Sequence, residues 1–400
     1  MRPRVLIIVQ NLPVPFDRRV WLECNTLRDA GYDVTVICPR GKDTGRYQVV
    51  DDVEIHGYRP WAPGGGAAGF VLEYIWSFVA TAWLALRARR RGPFDVVQAC
   101  NPPDIFWPLA RWFRLRDGSR FVFDHHDLCP ELYRSRFPEG ARLPLRGLLL
   151  LERMTFRTAD RVTSTNESYA AVARTRGRKP ADAVTVVRTG PDPDRLRAGE
   201  PLPHLRRGHD HLVAYLGVMG PQDGIDHALR ALAALKERRA DWHAVFVGEG
   251  DVLAAMKLLA GELGLAGDVE FAGRLPDEDV QRILSTADVC LAPDPKNPLN
   301  DVSTMNKILE YMAMSRPVVA YDLVEARVSA GDAALYADAN DESSFADRID
   351  RLLDEPELRA RLGSIGRARI EAGLSWDVSV QELVRAYDRA LERRRSQPPS

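Results

Sequence analysis

Short runs of consecutive apolar residues recur along the chain and constrain its fold more than any other feature. Val5–Val9 is one such run, and Val34–Cys38 follows it after a single helical segment. A strand without polar alternation is buried on both faces, which is typical of a parallel sheet covered by helices. The pattern starts again at Leu212–Leu216. The sequence therefore predicts an α/β fold built from two Rossmann-like halves.

A proline-rich stretch, Thr189–Asp194, interrupts this periodicity near the middle of the chain. A chain of 400 residues is long enough for two domains. We therefore predict an N-terminal domain over residues 1–188 and a C-terminal domain over residues 189–375. Residues 376–400 are predicted to form a helix that returns to the N-terminal domain and ends in a frayed tail.

The net charge of −1 conceals an asymmetry between the two halves. Residues 1–200 contain 31 Lys and Arg against 23 Asp and Glu, whereas the remainder contains 24 against 33. A basic half is compatible with a membrane or polyanion partner, although an arginine-rich coding bias explains it equally well. The five cysteines are odd in number and form no C-x-x-C pair, which argues against disulfides or a zinc site. The N-terminal apolar run has only five residues, too few for a signal peptide, so the cytoplasm is the expected compartment.

The most apolar helical segment is Phe70–Leu86, which contains one acidic residue, Glu73. Its length of 17 residues falls short of the about 20 needed to span a bilayer. A helix packed on the sheet is the preferred interpretation. A helix partly inserted at a membrane surface remains the alternative, because the arginines that follow could face anionic lipid.

A polar loop leads into a short helix within residues 297–319. Ser303 and Thr304 are suitable N-cap residues, and a helix N-terminus binds anions through its unpaired N–H groups. Lys307 adds a positive charge in the first turn, and the Glu310 carboxylate could accept hydrogen bonds from a ribose diol. The segment therefore predicts a nucleotide-diphosphate site, with an ordinary capped helix carrying a surface Lys–Glu pair as the alternative.

Other candidate residues follow predicted strands, at the edge where open α/β sheets bind ligands. In the second half these are glycines, Gly217, Gly248 and Gly273, which allow close approach of the backbone to a ligand. In the first half they are polar residues: Arg18, Arg19, His125, His126 and Asp127. The histidines could contact substrate or act as a general base. Neither metal-ligand spacing nor a dinucleotide G-x-G-x-x-G motif accompanies them.

Together these motifs resemble family 4 retaining glycosyltransferases of GT-B fold, over nearly the whole chain. The segments that carry the resemblance are DRRVWLECNTLRDAGYDVTVI, FDHHDL, LGVMGPQDGID, VGEGD, FAGRLPDED, LNDVSTMNKILEYMAMSRPVV and WDVSV. The resemblance implies two Rossmann-like domains facing a central cleft, with a nucleotide-sugar in the C-terminal domain and the acceptor in the N-terminal domain. It also implies retention by front-face attack, in which the leaving phosphate helps to take the acceptor proton, and no metal or other cofactor.

The resemblance also assigns roles to individual residues. Glu310 matches the second glutamate of a paired motif that holds the ribose, and His126 matches a histidine near the sugar. The predicted catalytic residues are His126, Asp127 and Lys307, and Arg18, Arg19 and His125 are candidate phosphate or acceptor contacts. The predicted donor-binding residues are Gly217, Gly248, Gly273, Arg274, Leu275, Asp301, Ser303, Thr304, Met305, Asn306 and Glu310.

The sequence departs from the family pattern at three positions. Val302 replaces the first glutamate, for which Asp301 or Asn300 could substitute by a small shift. Val218 and Asp223 stand where the family has its phosphate-binding arginine and lysine. Because the charge of a diphosphate leaving group must still be stabilised, we hypothesise that Lys307 and the helix N-terminus take this role, with Arg18 or Arg19 from across the cleft.

The sequence thus predicts a glycosyltransferase that uses a nucleotide-diphosphate sugar and does not bind nucleic acid. Its expected acceptor is a saccharide or a lipid-linked saccharide in cell-surface polysaccharide or glycolipid synthesis, and its expected location is the cytoplasm or the inner face of the membrane. Two alternatives are a nucleotide-sugar epimerase of the same fold and an inactive nucleotide-sugar-binding subunit. The three departures motivate the second alternative.

Overall fold

The computed structural model describes residues 2–42, 45–62, 64, 66–137 and 140–395. It confirms the predicted α/β class, because the chain forms two units, each built on a largely parallel sheet. The first unit comprises Met1–Arg188 together with Ser379–Ser400, and the second comprises Thr189–Val378. The predicted frayed tail, Arg393–Ser400, is corrected at its start, because Arg393–Arg395 belong to the last helix of the chain. Residues 396–400 lie outside the described residues.

The first unit contains an eight-stranded sheet in the order β3-β4-β2-β1-β5-β6-β7-β8, in which β3 alone runs antiparallel to its neighbour. Its strands are β1 (Arg4–Ile8), β2 (Asp33–Pro39), β3 (Tyr47–Val50), β4 (Val53–Tyr58), β5 (Val96–Cys100), β6 (Arg120–His125), β7 (Arg161–Ser164) and β8 (Val184–Val186). Its helices are α1 (Arg18–Asp29), α2 (Gly66–Ala88), α3 (Trp107–Asp117), α4 (Cys129–Arg136), α5 (Arg142–Thr158) and α6 (Glu167–Thr175).

Helices cover both faces of this sheet. The connection from β1 to β2 and the connections from β4 through β8 step across the sheet in opposite directions. Because such crossovers are right-handed, α1 lies on one face, and α2, α3, α5 and α6 lie on the other. The C-terminal helix α14 (Trp376–Arg395) also packs in this unit, where the ring of Tyr387 lies 5.7 Å from that of Tyr32.

The second unit contains a six-stranded parallel sheet in the order β11-β10-β9-β12-β13-β14. Its strands are β9 (His211–Leu216), β10 (Trp242–Val247), β11 (Val269–Gly273), β12 (Val289–Ala292), β13 (Val318–Tyr321) and β14 (Ala334–Ala337). Its helices are α7 (Ile225–Lys236), α8 (Leu253–Glu262), α9 (Asp277–Thr286), α10 (Asn306–Ala313), α11 (Val324–Ala330), α12 (Glu342–Asp354) and α13 (Pro356–Arg369). The predicted apolar strands are almost entirely buried, as expected for a sheet covered on both faces.

The start of α10 differs from the prediction. The helix begins at Asn306, and its N-cap residue is Met305, whose side chain forms no capping hydrogen bond. The prediction that Ser303 and Thr304 cap this helix is therefore wrong. A short 3-10 helix over Asn300–Val302 precedes it, and the Ser303 hydroxyl donates to the Leu299 carbonyl at 2.7 Å. This bond holds the serine to the preceding turn and keeps it from the N-cap position.

Candidate active site

In the second unit, the three predicted glycine turns lie side by side at the carboxyl edge of β9, β10 and β11. The Gly217 N–H donates to Val247 O at 3.0 Å, and the Gly248 N–H donates to Gly273 O at 2.8 Å. A Cβ atom on Gly248, whose φ is +139°, would lie 1.8 Å from Gly217 O. A side chain cannot fit there, so glycine is required for these turns to meet.

The helix that carries Lys307 and Glu310 is fixed at the point where the strand order reverses, between β9 and β12. Tyr311 of α10 accepts a hydrogen bond from the Leu216 N–H at 2.7 Å and donates to Leu291 O at 3.1 Å. One buried phenol therefore joins the ends of both strands. Ligands of open α/β sheets bind at such reversal points, so α10 begins in the expected ligand position.

Lys307 lies beside the first glycine turn. Its Nζ is 2.6 Å from Asp294 Oδ1 and 5.2 Å from the centre of the Tyr215 ring, and a Cβ on Gly217 would be 3.2 Å from its Cε. The side chains of Lys307 and Asp294 are only 8% and 1% exposed. A buried carboxylate therefore balances the charge of this lysine, which does not lie on the surface.

Asn300 and Asp301, the two residues proposed to replace the missing glutamate, form side-chain hydrogen bonds to backbone groups. Asn300 Nδ2 donates to Gln222 O and Pro295 O, both at 2.9 Å. Asp301 Oδ1 accepts from the Val324 N–H at 3.0 Å, at the start of α11. These bonds tie the loop before α10 to its neighbours.

The two positions that lack the family cations are also placed by the structure. Val218 is 63% exposed at the glycine edge. The Asp223 carboxylate accepts a hydrogen bond from the Gly220 N–H at 2.9 Å and so closes the turn after β9. The other predicted donor-binding residues are exposed or partly buried: Arg274, Leu275, Ser303, Thr304, Met305, Asn306 and Glu310.

A separate cleft of about 820 Å³ lies beside β11 and α9, lined by residues that include Leu205, Glu270 and Arg282. The glycine edge is the stronger candidate for a ligand site, because the strand reversal, the close-approach glycines and the start of α10 meet there.

In the first unit, Asp124 at the end of β6 is the centre of a buried polar cluster. It accepts hydrogen bonds from Arg19 Nη2 at 2.9 Å and from Thr163 Oγ1 at 2.8 Å. Arg19 Nη1 also donates to Val187 O at 2.7 Å. Burial opposes both charges, but the attraction between them prevails, so the pKa of Asp124 is lowered and that of Arg19 is raised.

Glu23 is the second carboxyl group of this cluster and lies 3.1 Å from Arg19 Nε. Burial and the nearby Asp124 raise its pKa well above the usual value. Gln98 Nε2 donates to Glu23 Oε2 at 2.6 Å, and the Tyr387 hydroxyl donates to Gln98 Oε1. The C-terminal helix is thereby joined to the cluster.

Folding brings four potential metal ligands into this cluster, a grouping that the sequence spacing did not predict. Ligand atoms of Glu23, Cys100, Asp124 and His126 lie within 4.8 Å of one another. The guanidinium of Arg19, however, lies against three of them, at 2.6 Å from His126 Nε2, 2.9 Å from Asp124 and 3.1 Å from Glu23. Because this cation already balances the cluster, the arrangement does not favour a metal ion.

The two predicted histidines occupy different environments. His125 is fully buried among Phe123, Phe156 and Tyr169, and burial, with the charge of Arg176, lowers its pKa to about 3. It is a neutral core residue in this structure and has no surface for the predicted ligand contact.

His126 is partly exposed, and its backbone N–H donates to Asn101 Oδ1 at 2.7 Å. Its ring lies against both Asp124 and Arg19. Asp127 is partly buried, its pKa is raised by burial, and its N–H shares the Asn101 acceptor at 3.1 Å. Of the two predicted arginines, Arg19 is 7% exposed and Arg18 is exposed.

The sequence-based interpretation did not identify four residues that hold these sites: Asn101, Asp124, Asp294 and Tyr311. The first three share one signal, since each is a polar residue at or just after the end of a buried strand. Tyr311 had no such signal, because it lies on the buried side of its helix.

Two units of largely parallel sheet, each with candidate ligand residues at the carboxyl edge of its strands, are the architecture of the GT-B fold. Residues 17–190 match the family model of glycosyl transferase 4-like domains, and residues 210–355 match that of glycosyl transferases group 1. The chain belongs to the family 4 glycosyltransferases.

Individual relatives are enzymes of this kind. The chain is 28% identical over 339 residues to D-inositol 3-phosphate glycosyltransferase of Frankia alni, covering 80% of each chain. It is 30% identical over 178 residues to alpha-D-kanosaminyltransferase of Streptomyces kanamyceticus, covering 44% of this chain and 45% of that enzyme.

Solved structures share the fold at low sequence identity. Sucrose-phosphate synthase from Thermosynechococcus elongatus superposes with a TM-score of 0.78 at 17% identity, over 98% of this chain and 100% of that one. Anabaena HepE, solved in complex with UDP-glucose, superposes with a TM-score of 0.72 at 15% identity, over 96% and 99%.

Proposed function

We propose that this glycosyltransferase moves a sugar from a nucleotide-diphosphate sugar to an acceptor with retention of anomeric configuration. The observation that carries the proposal is the glycine edge of the second unit, where Gly217 and Gly248 meet beside Lys307. Turns without side chains let the backbone approach a diphosphate closely. The complex of HepE with UDP-glucose supports a donor of this class.

In the proposed mechanism, the bond between the anomeric carbon and the phosphate oxygen breaks while the acceptor oxygen bonds to the same face of the sugar. The acceptor proton passes to the leaving phosphate oxygen. Glu310 holds the ribose hydroxyls, and Lys307 offers part of its charge to the diphosphate while it remains paired with Asp294. His126 and Asp127 bind or polarise the acceptor in the first unit. No step requires a metal ion.

The proposed acceptor is a saccharide or a lipid-linked saccharide, and the proposed pathway is cell-surface polysaccharide or glycolipid synthesis. The enzyme would act from the cytoplasm, at the inner face of the membrane. The basic N-terminal half and the apolar α2 support this placement.

A thermal-shift screen of nucleotide-sugars tests the donor site, because a ligand that binds the folded state raises its melting temperature. We expect one base and sugar to stabilise the enzyme and Glu310→Gln to lose most of that shift. Glu262→Gln on the exposed side of α8 is the matched control. If no nucleotide-sugar stabilises the enzyme, or if both variants respond alike, the donor site is placed wrongly.

An inactive nucleotide-sugar-binding subunit is a second candidate, favoured by specific observations. Val218 and Asp223 occupy the positions of the family cations, and Asp294 balances the charge of Lys307. An active enzyme releases nucleotide from the stabilising donor when an acceptor is supplied. Binding without release across a broad acceptor panel, and without rescue by a partner protein, would favour the inactive subunit.

A further inference from the structure

Helix α2 has its hydroxyl side chains Ser77 and Thr81 and its one carboxylate, Glu73, on the inner side. Gln10 Nε2 donates to the Glu73 carboxylate at 3.1 Å and to Ser77 Oγ at 3.3 Å. Ser77 and Thr81 are 2% and 0% exposed. Glu73, the one acidic residue of the segment, is therefore bonded to the loop that follows β1. A surface helix in water normally shows the opposite arrangement, with its polar residues facing outward.

The outward side of α2 is apolar over most of its length. Ile75 and Val79 are each 56% exposed, and Trp83 is 60% exposed, at a spacing of one helical turn. Leu72, Trp76 and Leu86 are exposed on the same side. The helix is long and apolar enough to cross a membrane, yet Leu84, Ala85 and Ala88 bury its other side in the unit core. It can therefore lie along a membrane surface while the unit stays folded, but it cannot cross the bilayer without unpacking.

Arginines and further apolar residues extend this surface at the C-terminal end of α2. Arg87 and Arg90 are exposed, and the Arg87 guanidinium lies 5.7 Å from the Trp83 ring. Helix α3 presents Trp112 and Leu115, which are 41% and 77% exposed. Arg89 joins the two helices, because it lies 5.8 Å from the Trp112 ring and pairs with Asp117.

Helix α5, on the same face of the sheet, adds an arginine-rich pocket. The pocket has a volume of about 380 Å³ and is lined by Arg146, Arg153 and Arg178, next to two leucines and the Arg176–Glu152 ion pair. In the part of the chain that the structure describes, none of these three arginines forms an ion pair with an acidic residue. Cationic groups beside apolar side chains match the boundary between phosphate headgroups and acyl chains.

We propose that the outward side of α2, α3 and α5 (the α2–α3–α5 surface) binds an anionic lipid bilayer. Tryptophan and aliphatic side chains would enter the interface, and the arginines would contact lipid phosphates. An apolar partner protein alone would not account for the arginines, whereas an anionic bilayer matches both components of the surface. This inference does not rest on the proposed reaction, so vesicle binding and turnover can fail independently.

The test measures binding of the full-length protein to sedimented vesicles of phosphatidylcholine, with or without phosphatidylglycerol. We expect binding to vesicles that contain phosphatidylglycerol and weakening by salt. Val79→Ser/Trp83→Ser should reduce partitioning about tenfold or more. The double variant Arg87→Gln/Arg90→Gln should reduce vesicle partitioning roughly 30-fold on anionic vesicles at low salt. On neutral vesicles the same variant should change partitioning little.

Matched controls come from exposed residues of the second unit, Leu258→Ser on α8 and Arg230→Gln on α7, which should bind as the unchanged protein does. Melting temperatures of all variants show that each is folded. The proposal is overturned if the unchanged protein ignores anionic vesicles, or if the α2 variants bind like the controls. A third outcome would also overturn it: the unchanged protein binds no vesicles but forms a concentration-dependent dimer, and the α2 variants abolish that dimer. In that case a second copy of the chain covers the surface.

Discussion

The Lys307–Asp294 pair allows a structural role of the lysine to be separated from a catalytic one. Both side chains are at least nine-tenths buried, and their charged atoms are 2.6 Å apart. Lys307→Met leaves the Asp294 carboxylate buried without its cation, which typically costs about 3–5 kcal/mol of folding free energy. The second unit spans Thr189–Val378, or 378 − 189 + 1 = 190 residues. In a unit of that size, about 1 kcal/mol shifts the melting temperature by about 2–4 °C, so the expected fall is roughly 6–20 °C.

Lys307→Met/Asp294→Asn removes both charges and should recover most of the lost stability, because no unpaired buried charge remains. Turnover distinguishes the two roles. If Lys307 stabilises the leaving diphosphate, the double variant should still turn over about 10²–10³-fold more slowly, the usual effect of losing one preorganised electrostatic contact. If the lysine is only structural, turnover should recover together with stability.

The assay is calorimetric melting of both variants, combined with kcat for the donor that the thermal-shift screen selects. Lys236→Met is the control, since Lys236 pairs with Asp268 at 2.7 Å but is 41% exposed. Such a surface pair contributes about 0–1 kcal/mol. The electrostatic role is refuted if the double variant turns over at the full rate. The buried-pair argument is refuted if Lys307→Met melts no lower than Lys236→Met.

Three further predictions concern stability and donor binding. Burial, with a contribution from the charge of Glu152, raises the pKa of Asp104 to about 7. The neutral form of Asp104 is therefore compatible with the fold at acid pH, and folding stability is lost as pH rises from 4 through 7. Asp104→Asn should therefore gain about 4 kcal/mol relative to the unchanged protein across that window in urea unfolding, and a pH-independent difference would contradict this. Arg19→Met should destabilise the first unit by about 3–5 kcal/mol in the same assay, because Asp124 loses its buried cation. A loss below about 1 kcal/mol, the size expected for a surface ion pair, would contradict this argument. Gly248→Ala should abolish the thermal shift given by the donor, since its Cβ would meet Gly217 O, whereas Gly261→Ala, which meets nothing within 4 Å, should retain it.

Much of the fold could be predicted because its signals are local. Runs such as Val5–Val9 and Leu212–Leu216 have no polar face, and a parallel sheet between two helix layers is the structure that buries them. The glycine turns could be predicted for a similar reason, since each follows such a run directly. Strand order then brought Gly217, Gly248 and Gly273 to adjacent positions.

The charge balance of both sites could not be predicted, because it depends on pairs that folding creates. Arg19 and Asp124 are 105 residues apart in sequence and meet because β1 and β6 lie in one sheet. Asp294 is only 13 residues from Lys307, yet the two meet because α10 starts beside the end of β12. No sequence pattern indicated the partners of Lys307 and Arg19, whereas in the structure each has a buried carboxylate partner.

Helix α2 shows a different limit of sequence patterns. Periodicity arguments assume that the apolar side of a helix faces the protein, because the other side faces water. In α2, the small polar residues Ser77 and Thr81 face the protein, and the large apolar Val79 and Trp83 face outward. The Glu73 carboxylate accepts a hydrogen bond from Gln10 within the unit. The usual rule reverses where the outer solvent is lipid, which is what we propose for this surface, and the packing of α2 against its sheet is what reveals the outward apolar side.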